Sequence, residues 1–276
     1  DMTLREVLGH QRCVVLQGPP GAGKSTLVHY ITRVMASALL PGNDPSLAER
    51  RLALLPHFPI RIPLKSYDQS KKLIALALDE LENPLAIEQL DILTKKGAML
   101  LLDGLDEVAP QHFRPLISEI DLLVKNHPEY RFVVTTRITT YRVKDLAPSG
   151  FVTYTVQSLN QYQQEQLLYR YFRYWSQTGS SLYRETVPVE QRVQEFRDRM
   201  AQNPALARLV AIPLWLTLTA SLFYSNHLQP FVSKPEIYRL CIENLLHRRY
   251  ITEQTDQHLL LLAQIAWEIH NSPNTT

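Results

Sequence analysis

The octapeptide Gly18-Pro19-Pro20-Gly21-Ala22-Gly23-Lys24-Ser25 constrains this chain more than any other feature. It fits the spacing G-x-x-x-x-G-K-[ST], follows directly on the apolar run Cys13 to Gln17, and opens a helical pattern near Lys24. Glycines at 18, 21 and 23 permit backbone angles and close approaches that side chains forbid, so successive amide groups can point into one concave anion nest. The expected occupant is the β-phosphate of a nucleotide. Lys24 would reach the β- and γ-phosphates as a mobile cation, the Ser25 hydroxyl would ligate Mg²⁺, and Thr26 would add a hydroxyl near the α-phosphate. The positive end of the following helix favours the same charge.

A strand, loop and helix of this kind belong to a parallel sheet covered by helices, and the first part of the chain repeats that alternation. Strands are predicted at Cys13 to Gln17, Pro59 to Leu64, Ala98 to Asp103, Arg131 to Thr136 and Val152 to Gln157. The third is a near-continuous apolar run, as a central strand covered on both faces requires. Asn43 to Pro56 reads as a surface insertion with a short helix around Ser46 to Leu54. Beyond Ser158 helical periodicity takes over, at Gln161 to Trp175, Glu190 to Ala201 and Ala205 to Phe223. A break at Gln229 to Pro235 precedes two further patterns, Glu236 to Arg249 and Thr255 to His270. The expected organisation is a five-stranded α/β domain at 1–157, a helical domain at 158–229 and the start of a third at 230–276.

The strand Ala98 to Asp103 delivers a carboxylate to the C-terminal edge of the sheet, where ligands of open α/β sheets bind. Asp103 is the candidate Mg²⁺ holder. Asp106 and Glu107, just beyond, are candidates for the base that orients or deprotonates an attacking water, and the spacing leaves the choice open. The other reading for one of them is a helix cap. Arg131 to Thr136 ends at Arg137; if that strand lies between the first and the Asp103 strand, Arg137 stands beside the γ-phosphate and can sense it.

Together, Gly18 to Thr26, the string Leu102-Asp103-Gly104-Leu105-Asp106-Glu107 and Thr135-Thr136-Arg137 resemble NACHT NTPases of the STAND class of P-loop ATPases. The string is the most specific element, because other P-loop ATPases with a catalytic glutamate usually place it directly after the metal aspartate. Asn203-Pro204-Ala205-Leu206 and Ile212 to Leu218 are similar to the proline-bearing segment by which the family closes over the base, which implies that Pro213 touches adenine. Pro213 also reads as a plain helix-start proline. Pro235 to Leu240 and Leu245-Leu246 look like the first helix of the family's winged-helix domain. The resemblance implies an ATP/ADP switch with slow Mg²⁺-dependent hydrolysis, self-association in the ATP state, and a role in innate-immune or defence signalling. It also implies effector and sensor domains on a longer parent chain, of which Asp1 and Thr276 are read as internal boundaries. The competing function is a cycling, AAA-like motor that remodels nucleic acid or protein.

Composition narrows the partners. With 29 basic and 27 acidic residues the net charge is +2, too balanced for a nucleic-acid coat or a membrane-binding face. Two cysteines, Cys13 inside an apolar strand-like run and Cys241 inside a helical pattern, suit a reducing, cytoplasmic setting without structural disulfides. Every apolar stretch is broken well before about 18 residues, so no membrane span is predicted. Tyr169, Tyr171, Phe172, Tyr174 and Trp175, with Arg170 and Arg173, could stack single-stranded bases, but neighbouring residues cover every side of a helix and packing is the expected use. The nine histidines show no zinc spacing, so Mg²⁺ is the sole metal expected.

Overall fold

The computed structural model describes residues 2–44, 46–52, 54, 57–79, 97–138, 143–178, 187–224, 234–249 and 264–265. Contacts divide the chain into two compact units, Asp1–Gln157 and Ser158–Thr276.

The first unit is built on five parallel strands, β1 (Cys13–Gln17), β2 (Phe58–Pro63), β3 (Ala98–Asp103), β4 (Arg131–Thr136) and β5 (Val152–Thr155), in the order β2-β3-β4-β1-β5. Its helices among the described residues are α1 (Leu4–His10), α2 (Lys24–Leu39), α3 (Ser46–Leu52), α4 (Leu73–Asp79) and α5 (Pro110–Asn126). The two faces of the sheet bury alternate residues. Cys13, Val15, Leu100, Leu102, Phe132 and Val134 pack with Leu73 of α4 and Phe113, Leu116 and Ile120 of α5. Val14, Leu16, Met99, Leu101 and Val133 pack instead with Val7 and Leu8 of α1 and Val28, Ile31 and Met35 of α2. With both faces covered at its centre, β3 carries no polar alternation and is buried along its whole length, whereas the edge strands β2 and β5 are only partly buried. Side chains at the C-terminal edge of β1, β3 and β4 are therefore held by a core on either side of them.

Two expectations need adjustment here. The strands predicted at 59–64 and 152–157 are found at Phe58–Pro63 and Val152–Thr155, although the Val156 amide still donates to Gln17 O at 2.8 Å. The segment read as a surface insertion contributes to the core: Leu52 and Leu54 are buried beside α1 and α2. A short amphipathic helix that covers an apolar face is buried on one side even where its charged side, Arg50 included, faces solvent.

The second unit contains α6 (Gln161–Thr178), α7 (Val189–Ala201), α8 (Pro204–Leu209), α9 (Pro213–Tyr224) and α10 (Lys234–Arg249). Asn160 and Gln163 cap α6 reciprocally, each side chain accepting the other's amide at 2.9 and 3.0 Å. The aromatic run of α6 is split by the helix period. Phe172 is fully buried against Phe196, Phe223 and Tyr224, whereas Tyr174 is exposed. Ile237 and Cys241 of α10 join that same cluster.

The single helix predicted at 205–223 is two. Proline lacks an amide donor and drives the preceding residue away from helical angles, so the chain breaks at Val210–Ile212 and restarts at Pro213. The break is used: Leu159 N–H donates to Ala211 O at 2.7 Å. The pattern predicted at 255–270 lies outside the described residues apart from 264–265.

Candidate functional site

At the C-terminal edge of the sheet a cavity of about 450 Å³ opens between the glycine loop, the end of β3, the end of β4 and the turn after β2. Pro20, Gly21, Lys24 and Ser25 line one wall. Gly18, Pro19, Ala22 and Gly23 form the body of the loop: the Gly18 amide donates to Thr136 O, and the buried Ala22 donates to Pro19 O at 3.2 Å. One amide expected in the anion nest is therefore used within the loop. Gly23 is the N-cap of α2 in a left-handed conformation, φ 90°, which an L side chain disfavours and which turns the loop sharply into the helix. The first amides of α2 have no intrahelical acceptor and carry the helix's positive end. Thr26 is exposed on that first turn.

Lys24 Nζ donates to the Gly18 and Pro19 carbonyls at 2.8 and 3.1 Å, folding over the loop it follows. Burial pushes its ammonium below the ordinary lysine range; Asp106 and Asp103 pull it back up, while Arg137 pushes it further down.

Asp103 ends β3 almost fully buried. Beyond the register pair Leu102 and Val134, the next residues of β3 and β4 lie side by side, and the Thr135 hydroxyl donates to Asp103 Oδ1 at 2.6 Å. Ser25 Oγ donates to the same oxygen at 3.1 Å. Thr135 also accepts the Gly104 amide at 2.9 Å, so one buried hydroxyl ties the aspartate to the turn that follows. A hydroxyl and a carboxylate oxygen this close are hard donors of the kind Mg²⁺ takes.

Gly104, at φ 88°, throws the chain into a short 3₁₀ turn, Leu105–Glu107, and this turn separates the two carboxylates the sequence left equivalent. Asp106 is taken up by Arg137: Oδ1 accepts its backbone amide at 2.9 Å and Oδ2 faces Nε at 3.0 Å. The Glu107 side chain curls beneath Gly104, to whose carbonyl the Glu107 amide donates at 3.0 Å, and its carboxylate has no hydrogen-bond partner among the described residues. Arg137, at the end of β4 between β1 and β3, lines the cavity as the strand order required.

Three lining residues escaped the sequence reading. Arg61, Pro63 and Lys65 belong to β2 and the 3₁₀ turn Leu64–Ser66, and Arg61 Nη2 stands 3.4 Å from Asp103 Oδ2. A cation inside a strand pattern carries no mark of its neighbour forty residues on. Pro213 belongs to the second unit, where it is half-buried as the first residue of α9 and its carbonyl accepts the Thr217 hydroxyl at 2.9 Å. Among the described residues no helix is long and apolar enough to cross a membrane, and no group of three metal-ligating side chains occurs.

The chain is similar to a structure of C. elegans PCH-2, 16% identical over 87% of this chain and 61% of the other, with a TM-score of 0.49. A crystal structure of Saccharomyces cerevisiae RIF2 is 14% identical over 85% of this chain and 84% of the other, at 0.42. Neither is close enough to speak to function, and this chain spans less than two thirds of the C. elegans one. Curated proteins yield no match. A family model described as NACHT domain matches residues 12–174, from the residue before β1 into α6 and more than half of the 276. The phosphate loop, the Asp103 strand end and Arg137 all fall inside it, and the chain belongs to the NACHT domain family of nucleotide-binding P-loop NTPases.

Proposed function

We propose that this chain is an ATP/ADP-dependent switch whose slow, Mg²⁺-dependent hydrolysis resets it, and the observation that carries the reading is the division of labour among the three carboxylates. Asp103 is braced by Ser25 and Thr135, Asp106 is engaged with Arg137, and the Glu107 carboxylate has no hydrogen-bond partner among the described residues. The residues therefore take distinct roles. The loop Gly18 to Ser25 and Thr26 cradle the phosphates, with Lys24 as the cation that exchanges loop carbonyls for phosphate oxygens. Ser25 and Asp103 hold Mg²⁺, which when bound neutralises charge on the β- and γ-phosphates. Glu107 is the general base, and Asp106 positions Arg137 at the γ-phosphate end. In a P-loop NTPase the protein supplies chiefly position and charge, and an arginine tethered to an aspartate moves only when a better anion competes for it.

The helical unit, through Pro213, is proposed to contact adenine, so that ADP ties it to the sheet domain. Residues 230–276 are the start of a winged-helix domain, and exchange for ATP releases the module to self-associate in a cytoplasmic, defence-type signalling protein with further effector and sensor domains. A rapidly cycling motor is the rival. It should turn over at about 1 s⁻¹ or faster, on the order of ordinary enzymes, and the switch far more slowly. Calorimetry tests the site itself: Lys24→Ala should weaken ATP and ADP about 10- to 100-fold, the worth of a charge-assisted hydrogen bond, with the fold intact. Unchanged affinities refute the phosphate-loop assignment.

A further inference from the structure

Beside the glycine loop, the acidic turn and the end of β4, β2 supplies a further wall of the cavity. Its register with β3 sets Arg61 against Leu101 and Pro63 against Asp103. Ile60 and Ile62 are buried in the core, so Arg61 lies on the other side of the pleat and its long side chain reaches along the strand to the next carboxylate. The two oxygens of Asp103 are thereby divided. Oδ1 accepts both hydroxyls, and Oδ2 faces Arg61 Nη2 at 3.4 Å. Among the described residues the guanidinium is poorly satisfied in this position: its Nε is buried with no hydrogen-bond partner there, and the side chain is 33% exposed on the cavity. A cation with five donors that meets one long contact among the described residues has much to gain from a better anion.

Resting on the reading of Asp103 as the Mg²⁺ holder, we infer that Arg61 is a positioning residue that competes with the divalent cation for Asp103. It neutralises the carboxylate when no metal is bound and yields it when metal arrives together with nucleotide phosphates. Arg61 and a divalent ion cannot share Asp103 Oδ2 without like-charge repulsion. Metal alone therefore has to evict the guanidinium into water, whereas metal with nucleotide offers it phosphate oxygens in exchange. The consequence is a coupling: nucleotide and metal each favour the other's binding, and Arg61 is one source of that preference.

The test is calorimetric titration of MgCl₂, with Mn²⁺ followed by electron paramagnetic resonance, into the whole chain with and without saturating ADP. Arg61→Gln should tighten metal binding in the absence of nucleotide by about two- to fivefold, the range of a partly exposed ion pair. The metal–nucleotide coupling should shrink with it, so that ADP affinity falls more in saturating Mg²⁺ than in EDTA. Arg61→Lys, which keeps the charge, should behave as the wild type towards the metal alone. A merely structural arginine would weaken metal and nucleotide together. Arg61→Met removes the same charge and keeps the apolar stem, so either neutral variant that folds decides the matter. Unchanged or weaker nucleotide-free metal affinity in the neutral variants overturns the inference. Asp103→Asn separates the two levels: if it leaves metal binding intact in the wild-type background, the Mg²⁺ assignment itself fails.

Discussion

Thr135→Val asks whether one hydroxyl holds the acidic end of β3 in place. The side chain is 1% exposed, donates to Asp103 Oδ1 at 2.6 Å and accepts the Gly104 amide at 2.9 Å. Valine keeps the shape and removes both bonds. A hydrogen bond to a charged group contributes about 1.5–3 kcal/mol, and a buried amide left without an acceptor costs about 1–3 kcal/mol. The two do not add in full, because Asp103 keeps the Ser25 hydroxyl and can relax towards it, so a loss of about 3 kcal/mol is expected. For a unit of this size each kcal/mol moves Tm by about 2–4 °C, which puts the sheet domain about 6–12 °C lower. Thr135→Ser keeps the hydroxyl and loses one buried methyl, at about 1 kcal/mol. Wild type and both variants are melted side by side by circular dichroism, and Mg²⁺-dependent ADP affinity is measured below the transition. The valine variant should lose both stability and metal-dependent affinity, the serine variant little of either. A valine variant within about 0.5 kcal/mol of serine would refute the brace, since that is the scatter of surface substitutions.

Glu107→Gln should retain ATP and slow its hydrolysis by about 10²–10⁴, the usual worth of a general base. Asp106→Asn should instead reproduce the defect of Arg137→Ala, with the double variant no worse than either, because both break one contact. If Glu107→Gln hydrolyses at the wild-type rate and Asp106→Asn does not, the base is Asp106. Nucleotide affinity should fall at alkaline pH. Burial holds Lys24 below the ordinary value of 10.5 in the free protein, and bound phosphate would raise it. The raised group binds its proton more tightly in the complex, so affinity is full below the free-protein value and is lost progressively as pH rises from that value towards the raised one in the complex. Calorimetry giving constant affinity up to pH 10.5 would exclude Lys24 as the phosphate cation. Pro213→Ala should weaken ADP and diminish any compaction on ADP addition seen by small-angle scattering; equal affinity and equal compaction leave Pro213 as a helix-start residue.

The sequence displays the parts of this site whose chemistry is local and hides those that arise from pairing. The loop, Asp103 and Arg137 are readable because glycine spacing and the ends of apolar strands leave a written pattern, and the covered sheet makes β1, β3 and β4 legible as apolar runs. Arg61 is not readable, because its meaning depends on the β2–β3 register across a crossover. The equivalence of Asp106 and Glu107 on paper dissolves for another reason, the left-handed turn at Gly104. A Cβ there would lie 3.2 Å from Glu107 Cδ, so any L residue at 104 meets both a disfavoured φ and the side chain packed beneath the turn. That turn sends residue 106 back across to β4 and folds residue 107 under the strand end. An acidic residue placed directly after Asp103 would continue the strand to the opposite side of the pleat instead. The spacing of three and four residues is therefore the mechanical consequence of inserting a glycine turn: it lets one strand end present the proposed metal carboxylate, an arginine anchor and a carboxylate without a hydrogen-bond partner among the described residues to a single cavity.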